Sequence, residues 1–321
     1  MKILITGGAG YIGSVLTQRL IQEGNQVRVL DNLMWGGKSL LPVWHCNNFE
    51  FIKGDIQDQS TIEYCLSNID AVVHLASIVG DPACSRNPTL ATNTNLDASL
   101  RIIEAVKRLG ISRFIFASTC SNYGRMADPS LYVDEESELR PISIYAETKV
   151  AVEQALLDSE RSDFTPTICR FATVFGVSPR MRFDLTVNQF TAEMIINKKL
   201  EVYGEQFWRP YIHVSDVSRA VSLILGKDQQ AIANQVFNIG ATSQNYQKRQ
   251  IVHEIEKVVP DVQIDYVNKD EDPRDYRVSF EKASSQLGFT TNYSLINGIK
   301  EIESLIRNDI ISDFRDPAYT N

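Results

Sequence analysis

Thr6-Gly7-Gly8-Ala9-Gly10-Tyr11-Ile12-Gly13 follows the apolar run Ile3-Leu4-Ile5 and leads directly into an amphipathic stretch that continues to Glu23. Gly7, Gly10 and Gly13 stand three residues apart. This spacing suits a strand that turns tightly into a helix, because bare backbone amides then gather at the positive helix end and a pyrophosphate can approach closely. The turn reads as a dinucleotide site in which Gly7, Gly10, Tyr11, Ile12 and Gly13 meet the phosphates. A second apolar run, residues 27–30, ends at Asp31, eighteen residues past Gly13. A carboxylate there can accept both hydroxyls of the adenosine ribose and would repel a 2′-phosphate. Asn32 and Leu33 follow it, with no arginine immediately beside it, so the expected cofactor is NAD rather than NADP.

Outward from this turn, short apolar runs recur at residues 3–6, 27–30, 49–52, 71–75, 114–117 and 167–170, with helical stretches between them. Strands that read as continuous apolar runs belong to a parallel sheet covered by helices on both faces. The expected fold is α/β, a Rossmann-type doubly wound parallel sheet with a smaller C-terminal α/β substrate lobe. Residues 1–170 form the cofactor domain in this reading, and residues 213–240 return to it as a helix and a strand. Residues 171–212 and 241–321 form the second lobe, with helix candidates at 185–197, 247–259 and 295–307.

Composition narrows the function classes. Lys and Arg total 32 against 40 Asp and Glu, a net charge of −8, and no basic run offers the footprint of a nucleic-acid binder. Anionic small ligands remain compatible, because a few amides and arginines can converge locally. Cys46, Cys65, Cys84, Cys120 and Cys169 are scattered without a C-x-x-C pair, which suits reduced thiols and predicts no metal site. No apolar signal segment follows Met1, and no later run nears the roughly 18 residues of a membrane span. A cytoplasmic protein with no membrane partner is expected.

The chemistry concentrates after the fifth run. Tyr145 and Lys149 lie four apart, near the start of an expected helix, so both face one way. A neighbouring ammonium and a positive nicotinamide ring favour phenolate, which would let Tyr145 act as a base near neutrality while Lys149 holds the nicotinamide ribose. The hydroxyl-rich segment Ser118-Thr119-Cys120-Ser121-Asn122-Tyr123-Gly124 directly follows the fifth strand, at the carboxyl end where open α/β sheets place ligands. Asp55, in Gly54-Asp55-Ile56 after the third strand, is placed to reach the adenine.

Taken in order, the glycine turn, Asp31-Asn32-Leu33, His74-Leu75-Ala76, Ser118 to Gly124, Tyr145-x-x-x-Lys149 and Arg209-Pro210-Tyr211-Ile212-His213-Val214-Ser215-Asp216 resemble the extended short-chain dehydrogenase/reductases. The chain is similar, over essentially its full length, to their nucleotide-sugar epimerase/dehydratase group. The resemblance implies tightly held NAD, a nucleotide-diphosphate sugar as substrate and a homodimer. It implies Asn32, Asp55, Ile56, Leu75, Ala76 and Asn95 on the cofactor side of the cleft, and Thr119 beside Tyr145 at the reacting sugar oxygen. It also implies that Arg209 and Arg274 bind the diphosphate, with Arg277 competing for Arg274's place. Ser121, Thr173, Asn188 and Phe207 are further candidates for the substrate pocket.

The departures from the group bear on the reaction. Members that eliminate water or decarboxylate carry an acidic pair or a Glu after the catalytic Thr, where this chain has Cys120 and Ser121. Members that epimerise carbons 3 and 5 carry a Cys two residues after it, whereas Cys120 is one residue after Thr119. The expected reaction is therefore NAD-dependent inversion at one carbinol, C4, through a transient 4-keto sugar. The rivals are an NAD(P)H-dependent reductase of a 4-keto-6-deoxy nucleotide sugar, a 4,6-dehydratase and a non-catalytic dinucleotide-binding regulator. Val79-Gly80-Asp81-Pro82-Ala83-Cys84 reads either as a simple turn or as a source of sugar contacts. Arg180 and Arg182 read either as phosphate ligands or as solvent-facing side chains.

Overall fold

The computed structural model describes residues 1–126, 128, 131–159, 163–268 and 274–321. The six apolar runs form β1 (Lys2–Thr6), β2 (Gln26–Asp31), β3 (Phe49–Lys53), β4 (Ala71–His74), β5 (Arg113–Thr119) and β6 (Thr165–Phe171). They are joined through α1 (Tyr11–Gln22), α2 (Gln59–Leu66), α3 (Asp81–Arg86), α4 (Pro88–Thr92), α5 (Ala98–Arg108) and α6 (Ile144–Leu157). The second half supplies β7 (Thr173–Phe175), α7 (Thr186–Ile196), β8 (Lys199–Tyr203), β9 (Trp208–His213), α8 (Val214–Gly226) and α9 (Gln229–Ile232). It ends with β10 (Gln235–Ile239), β11 (Asn245–Gln247), α10 (Lys248–Glu256), β12 (Gln263–Val267) and α11 (Leu295–Arg307).

The central sheet has seven parallel strands in the order β10-β6-β5-β4-β1-β2-β3. β10 comes from the segment after α8 and pairs with β6, Val236 beside Ile168. The chain leaves β1 toward β2 on one side and later crosses to β4 on the other, and that reversal opens a crevice at the carboxyl end of β1. Side chains alternate across the sheet. Ile3, Ile5, Val29 and Val73 pack with Leu16 and Leu20 of α1 and Val217 and Val221 of α8. Leu4, Val72, Phe114 and Phe116 pack on the other face with Ile62, Ile102, Val106, Val152 and Leu156. Each such fully buried aliphatic or phenyl side chain contributes about 1.5–3 kcal/mol relative to exposure.

The second lobe pairs β9 with β7 and β11, and β12 with β8, over a core of Phe175, Val187, Phe190, Ile251, Ile255 and Ile299. α10 stops at Glu256, before the expected residue 259: the Val258 amide tightens onto the Ile255 carbonyl in an i→i−3 bond, and Pro260 disfavours helical backbone at the residue before it. The two lobes are stitched at the start of α1. Tyr11 Oη donates to the Gly176 carbonyl at 2.7 Å, and Ser178 Oγ donates to the Tyr11 carbonyl at 2.7 Å. Buried Asp216 at the start of α8 accepts from the amides of Asn292 and Tyr293 at 3.0 and 2.9 Å, which fixes the approach to α11.

Candidate active site

A cavity of about 580 Å³ runs from the glycine turn to the junction of β5 and α6. Its first end is lined by Gly7, Gly10, Tyr11, Ile12, Gly13, Asp31, Asn32, Asp55, Ile56, Leu75 and Ala76. At Gly7 and Gly13 the backbone leaves no room for a side chain. Gly7 has φ +75°, and a Cβ on Gly13 would stand 2.1 Å from the Gly7 carbonyl oxygen. The cradle that a pyrophosphate needs is thus built from the closeness of the turn to itself.

Asp31 is held by its own neighbourhood. Its two oxygens accept from the amides of Ala9 at 3.0 Å and Leu33 at 2.8 Å, which orients the carboxylate and leaves lone pairs for a ribose diol. Burial raises its pKa while those two amides pull it back. Asn32 Nδ2 donates to Asp55 at 3.2 Å, and Asp55 also accepts from the Gln57 amide at 2.8 Å, so the ends of β2 and β3 are tied together at this end of the cavity.

Arg180 resolves one of the open sequence readings. It lines the cavity yet is only 5% exposed, and no carboxylate among the described residues pairs with it. Its guanidinium lies 4.7 Å above the Trp35 ring and donates to the Thr320 carbonyl at 3.0 Å, while Nε is buried without a hydrogen-bond partner. Burial, reinforced by the neighbouring Arg182 charge, lowers its pKa to about 10. A desolvated cation next to the glycine turn is suited to the cofactor's phosphates. Arg182, in contrast, is neutralised by Asp184 at 2.5 Å.

At the other end stand Thr119, Ser121, Tyr145, Lys149, Thr173 and Arg274. Ser143 caps α6 by accepting from the Ala146 amide, and Tyr145 and Lys149 then follow one turn apart. Lys149 is 2% exposed; Nζ donates to the Ala117 carbonyl at 2.9 Å and lies 5.9 Å from the Tyr145 ring centre. Burial lowers its pKa to about 8. Tyr145 is half-buried on the cavity wall, and burial pushes its phenol well above the ordinary range. Cys84 and Asp81 push in the same direction and Arg182 opposes them. The expected near-neutral phenol is therefore not a property of the protein's own charges, since desolvation outweighs them.

Beneath this end lies a network that the sequence reading missed. Glu153, two turns after Tyr145 on α6, accepts from Ser118 Oγ, from Asn122 Nδ2 at 2.9 Å and from Arg170 at 2.7 Å. Arg170 also donates to Tyr123 Oη at 3.0 Å, and Tyr123 donates to Asn238 at 2.8 Å. Ser118 and Asn122 flank the Thr119 segment, so this buried pair sets its position from below. His74 completes the floor between Thr6 at 2.7 Å and Ser99 at 2.9 Å; burial, with the Lys149 charge, holds its pKa near 3.

Four candidates stand outside the cavity wall. Asn95 accepts from the Ile78 amide at 2.8 Å and donates to its carbonyl at 2.9 Å, bracing the loop after β4. Asn188 is fully buried and holds the Gly176 amide at 3.0 Å and the Arg182 carbonyl at 2.8 Å, so it supports the wall instead of lining it. Phe207 is buried. Arg209 donates to the Trp208 carbonyl and lies 5.3 Å from the Tyr276 ring centre. Of the two competing arginines, Arg274 lines the cavity, while Arg277 is sandwiched between Tyr132 and Trp208. Cys120 and Ser121 part company: Cys120 is 1% exposed with its thiol donating to the Arg170 carbonyl, and Ser121 lines the cavity beside Tyr276.

A seven-stranded parallel sheet whose crevice holds this glycine turn, Asp31 at the end of β2 and the Tyr145-Lys149 pair is a Rossmann-type, dinucleotide-binding architecture. The chain belongs to the NAD dependent epimerase/dehydratase family, whose model matches residues 3–240. It is 31% identical over 323 residues to UDP-glucuronic acid decarboxylase 3 of Arabidopsis thaliana, covering 96% of this chain and 89% of the relative. It is 28% identical to dTDP-glucose 4,6-dehydratase of Streptomyces niveus, covering 96% of this chain and 94% of the relative. The crystal structure of UDP-glucose 4-epimerase from Thermotoga maritima, with UDP-glucose, superimposes with a TM-score of 0.85 at 29% identity, over 97% of this chain and all of that one. Decarboxylase, dehydratase and epimerase are thus about equally similar to it, and the reaction must be argued from the site. No helix among the described residues is long and apolar enough to cross a membrane.

Proposed function

We propose that this chain is an NAD-dependent nucleotide-sugar epimerase that inverts C4 through a transient 4-keto sugar. The observation that carries the reading is the wall beside Thr119: Ser121 faces the cavity where an eliminating or decarboxylating relative would need a carboxylic acid, and Cys120 is turned into the core. Elimination requires a proton donor at the leaving group, and a serine hydroxyl is a poor one. C4 oxidation and reduction need only a base, an orienting hydroxyl and a reversible hydride acceptor.

NAD, when bound, supplies that hydride acceptor and the positive charge of its oxidised ring. Gly7 to Gly13 and Arg180 are the residues suited to its phosphates, and Asp31 to its ribose. Thr119 holds the C4 oxygen and Tyr145 takes its proton. Burial raises the pKa of the phenol, and a cation in the cleft would favour its basic form, which would couple proton removal to the oxidised cofactor. Lys149 keeps a hydrogen bond to Ala117 and is placed to orient the nicotinamide ribose. Arg274 lies on the cavity wall for the diphosphate, with Arg209 behind it across Tyr276. The keto sugar then turns, and the proton on Tyr145 returns as the opposite face is reduced.

Incubation of the purified protein, without added cofactor, with UDP-, dTDP-, GDP- and CDP-sugars tests this reading. The expected product is a diastereomer of unchanged mass inverted at C4 by NMR, and Tyr145→Phe is expected to abolish it while NAD stays bound. Loss of water or carbon dioxide, or consumption of reduced cofactor with a supplied 4-keto sugar, would replace the epimerase.

A further inference from the structure

The loop after β4 lines the cavity without a break from Leu75 to Ala83, and it turns at Gly80, whose φ is +94°, directly before Asp81. It is pinned on both sides of Asp81. Asn95 holds the amide and carbonyl of Ile78, and the Cys84 thiol donates to the same carbonyl at 3.4 Å. Asp81 therefore presents its carboxylate from a fixed base. Arg274 Nη1 meets it at 3.0 Å from the other lobe, with both side chains partly exposed to the cleft. Tyr145 lines the same cavity. One carboxylate is thus paired with the arginine suited to a diphosphate, in the cavity that the residue suited to the reacting hydroxyl also lines and where the sugar ring has to sit.

We propose that Asp81 is a specificity residue that accepts hydrogen bonds from the hydroxyl or amino groups of the sugar and excludes sugars that carry a carboxylate. The inference rests on the nucleotide-sugar reading above. A guanidinium has five donors, enough to serve a phosphate and one carboxylate together, but the attraction of a dianionic diphosphate weakens its hold on Asp81. An ionised carboxylate only accepts, so the donors it needs must come from the ligand. A neutral hexose offers hydroxyls and an amino sugar offers an ammonium. A uronic acid brings a second negative charge into the same partly enclosed space, where like charges repel strongly.

The test is calorimetric binding to the NAD-loaded protein of nucleoside diphosphate, nucleoside diphosphoglucose and nucleoside diphosphoglucuronate, in uridine and thymidine series. Wild type should favour glucose over glucuronate by about 10- to 100-fold. Asp81→Asn, which keeps the size and removes the charge, should shrink that ratio at least about tenfold, and Asp81→Glu should retain most of it. The nucleoside diphosphate alone should bind Asp81→Asn as well as wild type or better. An unchanged ratio in Asp81→Asn, or a wild type that favours glucuronate, overturns the proposal. Binding with the expected ratios but no inversion at C4 would sink the epimerase reading and leave Asp81 its role. If wild type binds no nucleoside diphosphate, both fall.

Discussion

Replacing Glu153 by Ala tests the buried network under the Thr119 segment. Glu153 and Arg170 have side chains 2% and 5% exposed and meet at 2.7 Å. Truncating Glu153 removes the acceptor for Ser118, Asn122 and two nitrogens of Arg170, and leaves Arg170 with Tyr123 and the Glu135 carbonyl as partners. Removing one member of a buried ion pair costs about 3–5 kcal/mol, most of it from the charge left behind. Urea unfolding at saturating NAD, where cofactor linkage is held constant, should show a loss of that size with an unchanged m-value. Replacing both residues by Met removes the stranded charge with the pair, so Glu153→Met/Arg170→Met should be less destabilised than Glu153→Ala alone. A loss below about 1 kcal/mol for Glu153→Ala, or a double variant that simply sums the single costs, would refute the reasoning.

Two further outcomes follow from isolated buried groups. Arg180→Ala should weaken NAD binding by about 10- to 100-fold, the value of a lost charge-assisted contact, with Trp35 fluorescence reporting occupancy; unchanged NAD retention would return Arg180 to a structural role. His74, with a folded pKa near 3 against about 6.5 unfolded, is neutral when folded and gains a proton on unfolding, so its contribution is lost progressively as pH falls from about 6.5 toward 3. At pH 5 the loss is about 2 kcal/mol, and His74→Asn should lose that much less stability than wild type between pH 7 and pH 5.

The cofactor half was legible because its physics is local. Apolar runs specify strands buried on both faces, and a glycine turn needs only its own neighbours to be recognised. Tyr145 and Lys149 were legible through helical spacing. The same spacing carried one turn further reaches Glu153, and Arg170 is a charge inside the apolar run Ile168-Cys169-Arg170-Phe171. A charge that a strand buries must have a partner, so both members left a signal that a search for catalytic motifs passed over. Asn188 and Asn95 were not separable from lining residues in this way. Whether an amide faces a ligand or a backbone turn is decided by tertiary contacts between segments such as Gly176 and Arg182.

The turn that ends β5 weighs against elimination. The strand stops at Thr119, whose hydroxyl accepts from the Ser121 amide at 3.1 Å, and Cys120–Tyr123 form a single 3-10 turn that puts Cys120 in the core and Ser121 on the cavity wall. A thiol in the first position cannot serve as an acid or base toward the sugar, and its burial pushes its pKa far above that of a free thiol. Among the described residues, the aspartates on the substrate side of the cavity are Asp81 and Asp184, each facing an arginine. Of these, the one nearer an acid's place for elimination is Asp81, yet its carboxylate is engaged by the Arg274 guanidinium at 3.0 Å. A fixed anion at that place can sort sugars by charge far more readily than it can protonate a leaving group. The same pairing that argues against dehydration therefore supports a role for Asp81 in substrate choice.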